Sequence, residues 1–512
     1  MHGVKINRVA RLPHLTFDTM TPTLFLTIAL TYIAVLFLIA KLTGGKSDGD
    51  GFFLANRSAP WYVVAFGMVG ASLSGVTFIS IPGWVKTQDW TYLQMVFGYM
   101  AGYVFIMVVL LPLYYKMGLT SIYSYLGERF GPKAHKTGSS FFILSRVIGA
   151  SFRLFLVAIV VELAILEPMF ASGGEVPGWA FAVTVATILA IIYLYTKEGG
   201  MATVIWTDTL QTACMLGAVI LTVLAISQAQ GVSLSDIPKL IEDGGMTKVF
   251  VFDDWKAGNH FAKHFLAGAF VCIAMTGLDQ DMMQKNLSCK DLKSARLNMG
   301  TFAIVLLAAN VLFLALGSLL YIQAASEGLE IPEATDKLFP TLALGGTLGT
   351  WMGGVFLVGL LASAFSSADS ALTALTTSAC VDLIETEKLE KEKATSIRKK
   401  VHILMAFVLF LAIIAFNLVN DTSVVAALFT VANYTYGPLI GLFFYGLLSK
   451  RMPSDKLIPY VAIRAPIICF ILEYTLNAKY GFSFGFALLP INGAITALGL
   501  ALLPKNTLPL PR

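Results

Sequence analysis

About thirteen stretches of roughly twenty mostly apolar residues follow one another along this chain, and a helix needs about that length to cross the hydrocarbon of a bilayer. They centre near residues 31, 72, 103, 153, 187, 214, 272, 312, 366, 410, 435, 466 and 494. Nothing else constrains the fold as strongly. Charged residues make up only 13% of the 512, against about 25% in an average soluble domain, and mean hydropathy is +0.74. The expectation is an all-α polytopic membrane protein with about thirteen transmembrane helices. The polar N-terminal tail leads into a first apolar span with no small-residue cleavage site, so that span reads as retained. The five cysteines, Cys214, Cys272, Cys289, Cys380 and Cys469, lack metal-ligand spacing and read as small apolar filler.

Loop charge sets the expected orientation. If the first helix runs from outside to inside, the inner segments hold Lys41, Lys46, Arg57, Lys116, Arg129, Lys133, Lys136 and Lys197. The same side takes Lys285, Lys290, Lys293, Arg296, the run Lys388 to Lys400 with Arg398, then Lys450, Arg451, Lys456, Lys505 and Arg512. These outnumber the outer basic residues by about two to one, which favours an outside N-terminus and a cytoplasmic C-terminus, with the plasma (inner) membrane as location. The net charge of +5 therefore speaks of membrane orientation. The basic runs are short and interrupted by acids, so no nucleic-acid partner is expected, and no obligate protein partner is evident. Of the longer loops, 229–263 with Trp255 is expected to cap an outer vestibule, and 383–401 to be a solvated charged helix.

Polar residues inside the spans are costly unless they face a cavity, an ion or each other. Ser363, Ser366, Ser367 and Ser370 stand at i, i+3, i+4 and i+7 beside Asp369, one helical face of hydroxyl oxygens. Such oxygens suit a hard cation such as Na⁺. The second span holds Gly67, Gly70 and Gly75 with Ser72, Ser74 and Thr77, a poor continuous helix. Unwound backbone at that depth survives only against a cavity or buried in protein. A second break is expected in FLAGAFVCIAMTGLDQD, around Gly268 and Thr276-Gly277. Broken spans separated by five helices are what two inverted five-helix repeats produce in secondary transporters. The expected organisation is a tail and extra helix (1–60), a first repeat (61–228), an outer loop (229–260), a second repeat (261–448) and two C-terminal helices (449–512).

Six segments now carry a resemblance: SGVTFISIPG, LPLYYKMGLTSIYSYLGERFG, GGMATVIWTD, TGLDQDMMQKNLSCKDLKSAR, LASAFSSADSALTALTTSACVDL and NYTYGPLIGLFFYGLLSKR. In this order, over roughly residues 50 to 450, the chain resembles the sodium/solute symporter family of sodium-coupled glucose, proline and sialic acid carriers, whose fold is of the LeuT type. The resemblance implies one Na⁺ held by the carbonyls of Gly70, Leu73 and Ser363 and by the hydroxyls of Ser366 and Ser367. Some members bear an acid where this chain has Ser72, a departure that counts against a proline-type solute. Related carriers also use an acid matching Asp208 near the cation site, which points to a second cation at Asp208, Asp369 and Ser370. Alternatively one of these two carboxylates stays protonated, since like charges in low dielectric resist ionising together.

Arg146 and Arg153 stand seven apart on one helical face. Three readings stay open: a bidentate contact with a solute carboxylate, a structural pair with an acid such as Asp208 or Asp369, or snorkelling of Arg146 to the inner face. Ser74, Thr77, Phe78, Gln94 and Tyr436 are further candidates to flank a central solute pocket, and Gly437-Pro438 reads as a hinge. The expected function is sodium-coupled import of a small polar organic solute (a sugar, a sugar acid such as sialic acid, or an amino acid) by alternating access, with Na⁺ the only cofactor. The alternatives are a proton-coupled symporter using Asp208 or Asp369, and a solute sensor or channel-like permease. No constellation of catalytic side chains or metal spacing lies in the spans, so an enzyme is not expected.

Overall fold

The apolar runs fold as helices because only a helix satisfies each backbone group within its own segment of the bilayer. The computed structural model describes residues 22–505 apart from 44–48, 162–165, 167–175, 198, 256, 333–334, 420–423 and 482–483. In chain order the architecture is carried by α1 (Pro22–Thr43), α2 (Trp61–Ser72), α3 (Gly75–Gln88), α4 (Tyr92–Phe105), α5 (Pro132–Val161), α6 (Ala180–Thr196) and α7 (Met201–Ala229). Then follow α8 (Phe261–Cys272), α9 (Gln280–Leu287), α10 (Leu292–Ser326), α11 (Thr350–Ser378), α12 (Lys391–Val419), α13 (Val424–Leu448), α14 (Ile458–Tyr480) and α15 (Leu488–Leu502). Among the described residues nine helices are long and apolar enough to cross a membrane, or eleven if each of two bent pairs counts as one span. The shorter apolar α6 and the helix α13 fall at the other two expected places. No strand occurs among the described residues, only the isolated bridges Ala59–Cys289 and Pro453–Lys505. The tail before Pro22 lies outside the described residues.

Helix α11 is the centre of the molecule. Of its apolar window 89% is buried inside the protein, against 22% for the windows in α1, α12 and α14, so those three lie at the periphery. A lipid-facing helix can be apolar all round, whereas a central one can carry the serines that α11 carries.

Both expected breaks exist. The first bends the chain by 58° between α2 and α3, with Leu73 at φ −83°, ψ 86° and Ser74 extended. The second bends it by 63° after a π-helical turn, Ile273–Gly277. Gly268 is a correction: it lies inside continuous helix, and a methyl there would strike the Met95 carbonyl while Gly98 faces it. It is a close-packing glycine that seats α8 on α4. The Gly437-Pro438 hinge is a second correction. Helix α13 runs through Pro438, whose missing N–H would leave the Tyr434 carbonyl without a partner. Asn492 of α15 supplies one, its Nδ2 donating to the carbonyls of Asn433 (3.0 Å) and Tyr434 (3.3 Å). Gly437 lets Asn492 come that close, for a methyl there would overlap its side chain.

The loop 229–263 lies on the start of α4. Gln94 Oε1 accepts from the Val251 N–H at 3.0 Å, Gln94 Nε2 donates to the Asn259 carbonyl at 2.9 Å, and Phe97 stacks on Phe250. Trp255 remains exposed. The segment 383–401 is not one solvated helix: a 3-10 turn, Thr386–Lys388, precedes α12, and Arg398 is buried with its guanidinium 4.3 Å from the Phe52 ring centre.

Candidate functional site

The two broken helices differ in how their freed carbonyls are satisfied. At the second break the Tyr114 hydroxyl donates to the Gly277 carbonyl at 2.9 Å and the Tyr123 hydroxyl to the Leu278 carbonyl at 2.8 Å. Asp279 then caps α9, accepting from the N–H groups of Asp281 (3.0 Å) and Met282 (3.3 Å). Buried carbonyls need such partners, and here the protein provides them. At the first break, among the described residues, no N–H donates to the carbonyls of Gly70 or Leu73, and Ser74 makes no side-chain cap to α3.

This break, between α2 and α3, packs on α11. An ideal Cβ on Gly75 would sit 3.4 Å from Ser363 Oγ. The serines of α11 are buried and their protons are taken by acceptors on α11 and α7: Ser363 Oγ donates to the Leu360 carbonyl at 2.8 Å, Ser367 Oγ to the Ser363 carbonyl at 3.2 Å, and Ser366 Oγ to Asp208 Oδ1 at 2.5 Å. A hydroxyl whose proton is committed presents only lone pairs, which is the form that ligates a cation. Helix α2 reaches this position because its glycines let it lie directly on α7. A methyl at Gly67 would be 3.0 Å from Asp208 Cβ, and one at Gly70 would strike Thr212 Oγ1, which accepts the Gly70 N–H at 2.9 Å.

The expected second cation set is brought together only in part. Asp208 and Ser370 meet, with Ser370 Oγ donating to Asp208 Oδ2 at 3.2 Å. Asp369 turns aside: its Oδ2 takes the Tyr195 hydroxyl at 2.7 Å, the Thr207 hydroxyl at 3.3 Å and Gln211 Nε2 at 3.4 Å, and its Oδ1 the Ser370 N–H at 2.6 Å. Lys285 is the larger correction. Its position after the seventh span reads as an inner loop, yet α9 is buried along its whole length. The Lys285 ammonium lies 2.7 Å from Asp208 Oδ2, 2.7 Å from Ser370 Oγ and 3.7 Å from Asp281 Oδ1. The signal available in the sequence was the second break, which returns the following polar residues to the interior instead of releasing them to water.

From Asp281 the charges continue toward a cavity. Arg146 forms an ion pair with Asp281, and its Nη1 lies 3.9 Å from Asp279 Oδ2, so it neither snorkels nor pairs with Asp208 or Asp369. The Tyr436 hydroxyl donates to Asp279 Oδ2 at 2.5 Å. Arg153 is buried, and among the described residues its Nε has no hydrogen-bond partner. Both arginines line a cavity of about 130 Å³ with Ser72, Ser74 and Thr77 from the first break. Its other walls include residues that the sequence did not single out: Trp84, Tyr92, Tyr99, Tyr103 and Asn310. Two candidates lie elsewhere. Phe78 packs in the core against Phe313, Phe339 and Phe356, and Gln94 ties down the outer loop. Tyr436 borders a smaller space on the far side of the arginines, with Ser145 and Val431.

Residues 52–455 match the model of a protein family described as the sodium:solute symporter family. The chain is 23% identical to the sodium/sialic acid symporter SiaT of Proteus mirabilis, over 91% of this chain and 92% of that one. It is 25% identical to the mouse (Mus musculus) sodium-coupled monocarboxylate transporter 1, over 91% of this chain and 72% of that one. In three dimensions it superposes on the substrate-bound, outward-open structure of a Na⁺-coupled sialic acid symporter with a TM-score of 0.78 at 21% identity, covering 96% of this chain and all of that one.

Proposed function

The chain belongs to the sodium:solute symporter family, and from that membership we propose that it couples Na⁺ at the first break to import of a small hydroxylated carboxylate, such as a sugar acid. It is an integral membrane protein, a sodium-coupled symporter and not an enzyme. Na⁺ is its coupling ion, bound by the carbonyls of Gly70, Leu73 and Ser363 and the hydroxyls of Ser366 and Ser367. The observation that carries this assignment is the contrast between the two breaks: tyrosines satisfy the carbonyls of the second, while those of Gly70 and Leu73 at the first, which packs on α11, have no N–H donor among the described residues. A cation is the partner that such oxygens lack.

The solute class rests on Arg153. A buried guanidinium with no ion pair and no partner for its Nε among the described residues, in the wall of a cavity, is poised for a bidentate anion. The hydroxyls of Ser74 and Thr77 and the Asn310 amide suit the remaining polar groups of such a solute, and the tyrosines offer apolar faces. Sialic acid and monocarboxylate carriers among the relatives agree with a carboxylate cargo. Na⁺ would tie α2 and α3 to α11, favour the outward-facing state and so raise solute affinity before rocking opens the inner side. The moving units would be the repeats 61–228 and 261–448, in a plasma membrane with the N-terminus outside and the C-terminus in the cytoplasm. Uptake of sialic acid and other sugar acids into proteoliposomes, with Na⁺ or choline outside at fixed pH, tests the reading. A sodium dependence shifted to much higher Na⁺ in Ser366→Ala and Ser367→Ala is the expected result, and unchanged coupling in both would refute the site.

A further inference from the structure

Lys285 is one of the largest fully buried side chains in the protein, and sodium-coupled binding of a solute does not by itself require it. Its ammonium lies 2.7 Å from Asp208 Oδ2 and donates to Ser370 Oγ at 2.7 Å. These are a carboxylate and a hydroxyl from α7 and α11, of the kind that a second small cation would draw on. Asp208 Oδ1 is engaged by Ser366. Asp369 offers no alternative, because both its oxygens already accept from neutral donors, Tyr195, Thr207 and Gln211 on one and the Ser370 N–H on the other.

We propose that the Lys285 ammonium permanently fills a second cation position, so that the protein binds and moves one Na⁺ per solute. The inference rests on the sodium site at Gly70, Leu73, Ser363, Ser366 and Ser367. A tethered ammonium supplies the charge that holds Asp208 against α11, and Asp208 in turn fixes the proton of Ser366, a ligand of that site. A free ion entering beside the ammonium would meet like charge in a buried setting, and the oxygens of Asp208 and Asp369 there are already taken by donors. The same lysine lies 3.7 Å from Asp281, the partner of Arg146 in the cavity wall. The internal cation therefore joins the sodium site to the solute site through Asp208, Lys285, Asp281 and Arg146.

The test is equilibrium binding of radioactive ²²Na⁺ to a known amount of purified protein, with no solute present. The wild type is expected to bind one Na⁺ with a Hill coefficient of about 1, since that coefficient cannot exceed the number of sites. In Lys285→Ala the vacated oxygens should take a second ion, with the count rising to two and the coefficient toward about 2, while Lys285→Arg should stay at one. Two ions on the wild type, or one ion on a folded Lys285→Ala, would overturn the inference and leave the first site standing. No ion on the wild type would overturn the first site and the inference with it. The wild-type count decides the matter even if Lys285→Ala does not fold.

Discussion

Arg146 and Arg153 sit seven residues apart on one helix and line one cavity, yet their removal should act on stability with opposite sign. Arg146 is held by Asp281 and Asp279. Arg146→Met would leave Asp281, among the described residues, with Lys285 at 3.7 Å and Asp279 with the Tyr436 hydroxyl and two N–H groups of α9, and orphaning buried charge in this way costs about 3–5 kcal/mol. Arg153 has no such partner among the described residues. An arginine at mid-membrane costs about 2.5–3.5 kcal/mol, and because its head borders a cavity part of that cost is screened. Arg153→Met should therefore stabilise the solute-free protein by about 1–2 kcal/mol. The same change removes the proposed anion contact. A charge-assisted pair worth about 3 kcal/mol corresponds to roughly a 100-fold loss of affinity for a carboxylate solute. Thermal unfolding of the purified protein with and without solute, alongside uptake in proteoliposomes, reads both effects. Arg153→Met melting as low as Arg146→Met, or keeping full affinity for every carboxylate tested, would refute the assignment.

Other outcomes follow from single contacts. Ser366→Ala removes a proposed cation ligand and a hydrogen bond to a carboxylate, about 1.5–3 kcal/mol, so half-saturating Na⁺ should rise roughly 10- to 100-fold in sodium-dependent uptake. Tyr114→Phe and Tyr123→Phe each strand one carbonyl of the second break and should lower stability by about 1–3 kcal/mol. In ²²Na⁺ binding they should leave the affinity unchanged. Gly268→Ala forces a methyl onto the Met95 carbonyl and should cost about 1–3 kcal/mol through overpacking, read as a lower unfolding temperature. Asn492→Leu strips the cap from the Tyr434 carbonyl and should destabilise by a similar amount, about 1–3 kcal/mol, although Asn492 lies far along the chain from the proline it compensates.

The sequence by itself determined what depends on local composition and spacing. Apolar runs of bilayer length dictated helices. The glycines and hydroxyls between Gly67 and Thr77 dictated a break, because a helix with that composition is poor and its loosened backbone must find other partners. The serine period on α11 fixed one polar face, and the seven-residue spacing of Arg146 and Arg153 put both on one side of α5. Only the tertiary structure decided which partner each polar group found, because hydrogen bonds and ion pairs form across helices hundreds of residues apart. Gly268 looked like a breaker and is a packing contact, since the neighbour that needs its missing side chain, Met95, is on another helix. Pro438 looked like a hinge and lies inside continuous helix, with the carbonyl it would strand capped by Asn492. Asp369 was expected to join a cation site but is satisfied by Tyr195, whereas Lys285, taken for a loop charge, is carried by the second break into the interior beside Asp208. The decisive contrast between the breaks is also tertiary: Tyr114 and Tyr123 reach one from a distant segment. At the other, the carbonyls of Gly70 and Leu73 have no N–H donor among the described residues.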